Sequence, residues 1–320
     1  MFKGLRARPM TRFLSESRAA SGRAHENLNM LPPIEHLEDI SAFGLEEITS
    51  KAISLAEAYE STGNVCLLDE ATDMFRSVAE TASAGHPDLA RYLANLGLAL
   101  GVVAERTADA NTAAEAVDIG RAAIRAASGD PSGQAASLGN LAIALQRLAQ
   151  LNGALATLQE AVDVGRKAVT ASRDDDPCRG IRMSNLGSDL LELAERTGEI
   201  LLHKEAVHVG RAAAAATPVG DPQRVAVLNN LANSVQLLAE RTGDSALLHE
   251  AVKVGREALA AVPAGHFGRF RILNGLGRAM RLLGNSTGDV TVLQDAVEIS
   301  RCAVAAAPED LPDRSMLMDN

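Results

Sequence analysis

One spacing constrains what this chain can fold into more than any other property. Glu70, Glu115, Glu160, Glu205, Glu250 and Asp295 recur at intervals of 45 residues, and so do Arg76, Arg121, Arg166, Arg211, Arg256 and Arg301. Ala71, Ala116, Ala161, Ala206, Ala251 and Ala296 form a third column, and Asn95-Leu96, Asn140-Leu141, Asn185-Leu186 and Asn230-Leu231 a fourth. A fixed period of this length marks a repeat array, in which each unit buries its apolar face only against its neighbours. The 320 residues are therefore one array rather than two unrelated domains.

Each row reads as two helices. In the fifth, Val225 to Arg241 carries Val227, Leu228, Leu231, Val235, Leu238 and Ala239 at three-to-four spacing, which marks a single buried face. Thr242-Gly243 stops that helix, since glycine suits a left-handed cap. Asp244 or Ser245 caps the next, which is expected to run to about Val262 with Leu247, Leu248, Ala251, Val252, Val254, Ala258 and Leu259 inward. Between rows, Asp176-Pro177 and Asp221-Pro222 place a capping carboxylate before a proline expected at the first helical position, and Asp130-Pro131 does so one residue out of phase. His86 and His266 share the column of Asp176 and Asp221, so both are expected in loops or caps rather than as metal ligands.

These rows resemble the tetratricopeptide repeat (TPR), a helix–turn–helix unit with a period of about 34 residues. Leu96-Gly97, Leu186-Gly187 and Leu276-Gly277 match its first-helix Leu-Gly pair. Ala116 and Ala123, with Ala206, Ala213, Ala251 and Ala258, match its two second-helix alanines. The extra residues per row amount to about two turns plus one turn of helix, which lengthens the helices while keeping the same face inward. The aromatic positions of the standard motif are replaced by Leu, Val and Gly. This long form, with Glu-Arg-Thr-Gly-Asp at the turn and Ala84-Gly85-His86-Pro87-Asp88 in the link, looks like the arrays that accompany caspase-like CHAT domains. The resemblance covers about residues 46–320 and includes no catalytic domain.

The expected fold is all-α, a right-handed superhelical solenoid of about six helix–turn–helix (TPR-like) repeats. Their expected boundaries are 46–89, 90–133, 134–179, 180–224, 225–268 and 269–313. Arg314 and Asn320 continue their columns, so 314–320 is expected to begin a seventh repeat. Residues 34–45 are expected to cap the array, whose outermost unit has no neighbour to cover it. Residues 1–33 form a separate segment. Up to Arg23 it holds six basic residues and one acid, Glu16, and reads as a flexible basic tail. An organelle-targeting peptide, or a tail folded back on the acidic array, are the alternatives.

Composition limits the partners. The net charge of −10 opposes binding to a nucleic-acid backbone, which runs on clustered Lys and Arg. The absence of Trp, with two Tyr and six Phe, leaves little for base-stacking platforms or sugar subsites. No apolar run is long enough to span a bilayer. Cys66, Cys178 and Cys302 lack CxxC spacing and read as reduced, buried or half-buried residues of a cytoplasmic protein. His203 and His208 are five apart and offer no metal site, and no nucleophile–base pair stands out. The reading is thus no enzyme, no cofactor and no metal.

The glycines of the second helix, Gly120, Gly165, Gly210 and Gly255, are replaced by Phe75 and Ser300 in the outer rows. A mid-helix glycine costs about 1 kcal/mol against alanine, so a neighbouring helix is expected to pass too close for a side chain. The Glu and Arg columns lie six apart and do not meet on one helix. They are expected to pair between rows as a ladder. In tetratricopeptide arrays the concave face is lined by the first helix, and ligand contacts fall at i, i+4 and i+7. The resemblance carries those positions to Gln146, to Ser184, Ser188 and the adjacent Glu192, to Asn229, Asn233 and Gln236, and to Asn274, Arg278 and Arg281. Such donors suit a peptide backbone or a carboxylate. The expected function is a non-catalytic scaffold for a protein or peptide segment. By resemblance it is the sensing or docking arm of a caspase-like effector, in the same chain or a partner. The alternatives are an α/α-toroid enzyme and a self-assembling homo-oligomeric array.

Overall fold

A computed structural model of the chain describes residues 44–263, 266 and 268–307. The basic tail expected over 1–33, residues 34–43 of the expected cap and the partial seventh repeat at 314–320 lie outside the described residues. Among the described residues are twelve α-helices paired in six hairpins: α1 Leu45–Thr62, α2 Val65–Thr81, α3 Leu89–Thr107, α4 Ala110–Ala126, α5 Pro131–Asn152, α6 Leu155–Ala171, α7 Arg179–Thr197, α8 Ile200–Ala216, α9 Arg224–Thr242, α10 Ser245–Ala261, α11 Arg269–Thr287 and α12 Val290–Ala306. The hairpins fall into two compact units that divide between Ser172 and Arg173, three hairpins to each. Within each unit the hairpins follow one another as helical repeats.

The turn inside each hairpin is built as its residues dictate. Gly243 adopts φ +70° and donates its N–H to the Ala239 carbonyl at 2.8 Å. Asp244 then accepts the Ala246 N–H at 2.9 Å and starts α10. Gly63, Gly153, Gly198 and Gly288 take the same left-handed conformation, but the second hairpin has Ala108 there, at φ +54°. A left-handed conformation costs a residue with a Cβ about 1–2 kcal/mol. Ala108→Gly is therefore expected to stabilise the first unit by roughly 0.5–1 kcal/mol after the entropy of a freer unfolded chain is subtracted, measurable as a raised urea midpoint.

The links between hairpins share one device. Asp176 and Asp221 accept the N–H groups of Cys178 and Gln223 at 2.8 and 2.7 Å. His86 and His266 do the same through Nδ1, from Asp88 and Gly268, at 3.1 and 3.0 Å. The prolines, however, do not open the helices after Asp176 and Asp221. The chain first closes a tight turn, with Arg179 and Arg224 donating to the Asp176 and Asp221 carbonyls at 3.0 and 2.9 Å, and α7 and α9 begin there. Only the out-of-phase pair behaves as expected: Pro131 opens α5 and Asp130 accepts the Ser132 N–H at 3.0 Å.

Packing repeats with the sequence. A Cβ added at Gly120, Gly210 or Gly255 would meet Cδ1 of Leu141, Leu231 or Leu276 at 3.2, 3.1 and 3.2 Å. Each glycine is a notch that receives the leucine of the following first helix. Within hairpins, Gly97 and Gly187 let α3 and α7 approach the carbonyls of Ala116 and Ala206, 3.6 and 3.4 Å from where a Cβ would sit. Within each unit part of the expected ladder is present: Arg76 pairs with Glu115, Arg121 with Glu160 at 2.9 Å, and Arg211 with both oxygens of Glu250 at 2.8 and 2.6 Å, whereas Arg256 and Asp295 form no ion pair among the described residues. These rungs are solvent-accessible, so each contributes about 0.2–1 kcal/mol and chiefly fixes register. Cys178 is buried, whereas Cys66 and Cys302 are exposed, which corrects the expectation for those two thiols. Both lie on the outward side of second helices, where the small apolar residue meets no further layer.

Candidate functional site

The second helices α2, α4 and α6 of the first unit, and α8 and α10 of the second, are joined by these Arg–Glu pairs, and the rows differ most on their first helices. In the first unit that surface is mostly closed. Leu98 and Ile143 are buried, and so is Gln146, at 3% exposure. Arg147 lies across α3, where Gly101 leaves room for it: a Cβ there would stand 2.6 Å from a guanidinium nitrogen. Its Nη2 reaches Glu105 at 3.2 Å. Burial lowers the proton affinity of this guanidinium, and Glu105 works in the opposite direction. The repeat pattern does not disclose Gly101 and Arg147 as partners. The one signal is a glycine in mid-helix outside the Leu-Gly column.

In the second unit the first helices are more polar. Ser184, Ser188 and Gln236 are nevertheless buried, at 2–3% exposure. Ser184 accepts the side-chain amide of Asn230 at 3.0 Å, a bridge from α9 to α7. Gln236 donates to Glu240 at 2.9 Å. Glu192, Asn229, Asn233, Asn274, Arg278 and Arg281 are partly exposed. Glu192 accepts from Arg196 one turn along at 2.7 Å. Arg278 places Nη2 2.8 and 2.9 Å from the two oxygens of Glu240. Thus Gln236, Glu240 and Arg278 form one polar chain from α9 to α11.

These contacts reveal a second ladder. Glu105, Glu195 and Glu240 occupy one column of the 45-residue repeat, and each binds an arginine of the next first helix: Arg147, Arg241 at 3.0 Å, and Arg278. The arginines fall in different columns, which hides the pairing from a row-by-row reading.

Arg281 differs from the other three. It is one turn beyond Arg278 on α11, a helix with four arginines and no acidic residue. Its Nε is buried and finds no hydrogen-bond partner among the described residues. Asn274 lies one turn before Arg278 on α11, and Asn233 of α9 occupies the repeat position equivalent to Arg278. The arrangement holds amide and guanidinium donors, with one arginine whose buried Nε has no acceptor among the described residues. Among the described residues, no group of three or more His, Cys, Asp or Glu could hold a metal ion, and no helix is long and apolar enough to cross a membrane.

A family match agrees with this architecture. Residues 134–173, which span α5 and α6, match the family model described as tetratricopeptide repeat. Among solved structures, a putative kinesin light chain array of nearly identical TPR-like repeats from Podosopora anserina is 22% identical, covering 69% of this chain and 96% of that one, with a TM-score of 0.47. A point variant of that array is 20% identical over 67% of this chain and 96% of its own, with a TM-score of 0.46. A de novo designed helical repeat protein is 16% identical over 89% of this chain and all of its own, with a TM-score of 0.15. No curated protein matches.

Proposed function

We propose that the protein is a non-catalytic scaffold that binds a protein or peptide segment along its first helices, with α9 and α11 making the principal contact to carboxylate groups of that segment. The observation that carries this reading is Arg281, a partly buried guanidinium whose Nε has no partner among the described residues. Because this Nε is itself shielded from solvent, a partner carboxylate acts on Arg281 through the exposed part of the side chain and its charge. Asn229, Asn233 and Asn274 add amides that hold an extended backbone, as amides offer both a donor and an acceptor. Glu240 and Gln236 fix the Arg278 guanidinium, so that Arg278 contributes its charge. Behind this surface the buried Ser184 ties α7 to α9 through Asn230, and the buried Gln236 props Glu240. The resemblance to arrays that accompany CHAT domains extends the proposal: the scaffold serves as the docking or sensing arm of a caspase-like effector, in cis or in trans.

The test uses peptides selected from a random displayed library against the full chain. Arg281→Ala is expected to weaken the selected peptides by about tenfold or more, the worth of a charge-assisted hydrogen bond. Charge reversal at Arg278 should weaken them further. Affinity unchanged in both variants, with the fold intact by circular dichroism, would remove the α9–α11 face from the account.

A further inference from the structure

One apolar column of the second helices is broken by a titratable side chain. Leu68, Ala113, Leu158, Leu248 and Leu293 occupy equivalent positions, but α8 carries His203 there. Its ring is 1% exposed, as deeply buried as Leu68 and Leu158, and neither ring nitrogen has a hydrogen-bond partner among the described residues. Nε2 stands 3.3 Å from Oε1 of Glu195 on α7, close enough for an ion pair but not aligned for a hydrogen bond. That same oxygen accepts from Arg241 of α9 at 3.0 Å. One carboxylate oxygen is therefore shared between a buried imidazole on one side and a guanidinium from the next hairpin on the other. Among the described residues, Glu195 and Arg241 are the charged groups that act on the ring; none from α8 itself does.

We propose that His203 makes the joint between the hairpins α7–α8 and α9–α10 acid-sensitive: a proton on the ring draws Glu195 away from Arg241 and sets a second cation beside that arginine. A leucine would fill the site without leaving two buried nitrogens unsatisfied, as its column mates do. The histidine thus gives up stability that an apolar residue would supply, and gains a charge that can be switched on. The joint lies beside the polar chain of α9, so loosening it reaches the helix that carries Asn229, Asn233 and Glu240.

The sign follows from the environment. Burial lowers the proton affinity of His203, Glu195 raises it and Arg241 lowers it again, with a net lowering. The folded ring is thus neutral where an unfolded histidine, with a pKa of about 6.5, already binds a proton. The stability that this neutral ring allows is full above about pH 6.5 and is lost as pH falls from there through the folded-state value.

Urea unfolding of the full chain at pH 7.5 to 5.0, with hydrogen exchange resolving α8 and α9, tests this directly. For wild type the unfolding constant of the second unit should rise on acidification by up to about tenfold per pH unit more than for His203→Leu, the limit for one proton. Protection of the C-terminal turns of α9 should fall with it. His249→Ala, which removes an exposed histidine of α10, should keep the wild-type profile. An identical acid profile in wild type and His203→Leu would overturn the proposal, as would a His203 ring resonance that titrates at the ordinary histidine value. This outcome is independent of peptide binding, which is read at pH 7.5 through Arg281.

Discussion

Leu231→Ala is expected to lower the stability of the second unit by about 2–5 kcal/mol, the range for a leucine truncated in a packed core. Leu231 is 4% exposed, on the first helix of its hairpin, and its Cδ1 fills the notch that Gly210 leaves on α8. Truncation removes every carbon beyond Cβ from a site whose far wall is helix backbone. That wall cannot collapse inward, so the cavity stays open and the loss falls toward the upper end of the range. Urea denaturation followed by circular dichroism measures it, and the effect should be confined to the second unit in hydrogen exchange.

The complementary change is Gly210→Val. A mid-helix glycine replaced by a larger residue gains helix propensity, about 1 kcal/mol for alanine and less for a β-branched valine. Here that gain meets a wall: the first added carbon would already be 3.1 Å from Leu231 Cδ1, and 3.7 Å from its Cα. Valine's two further methyls must displace α9. The expected result is a net loss of about 1–3 kcal/mol, the usual penalty for overpacking. The two substitutions should compensate in part, since the valine occupies space that Leu231→Ala vacates. A double-mutant cycle is expected to give a coupling of about 0.5–3 kcal/mol, as for residues in direct contact. The glycine is replaced twice within the array: Phe75 of α2 is accommodated at 1% exposure, and Ser300 of α12 sets its Oγ 2.7 Å from the Cβ position of Gly277 in its own hairpin.

How far the sequence could be read follows from which interactions keep the repeat period. The notch glycines, the Arg–Glu ladder, the Gly243 turn with its Asp244 cap and the equivalence of His86 and His266 with Asp176 and Asp221 all recur at one interval. A column reading finds them without coordinates. The Glu105, Glu195 and Glu240 ladder recurs on one side only, because an arginine side chain is long enough to reach the same glutamate from several positions of the next helix. Arg147 and His203 belong to single rows, where a period carries no information. For the proposed site the sequence selects residues but not their burial. Carrying over i, i+4 and i+7 selects a helix face, but whether Ser184 or Gln236 on that face reaches solvent depends on how closely the neighbouring first helix lies. That distance is set by the packing residues of two rows at once. The prolines after Asp176 and Asp221 misled for a related reason: the link needs one extra turn before α7 and α9 can begin, and proline suits either position.

The central claim is that the second helices bind the rows together while the first helices of the second unit bind the partner. Hydrogen exchange of the full chain, with and without a saturating library-selected peptide, tests it most directly. The account predicts new protection in α9 and α11, abolished by Arg281→Ala, with α8, α10 and α12 unchanged. Protection concentrated in α8, α10 and α12, or protection of α9 and α11 that persists in Arg281→Ala, would contradict it.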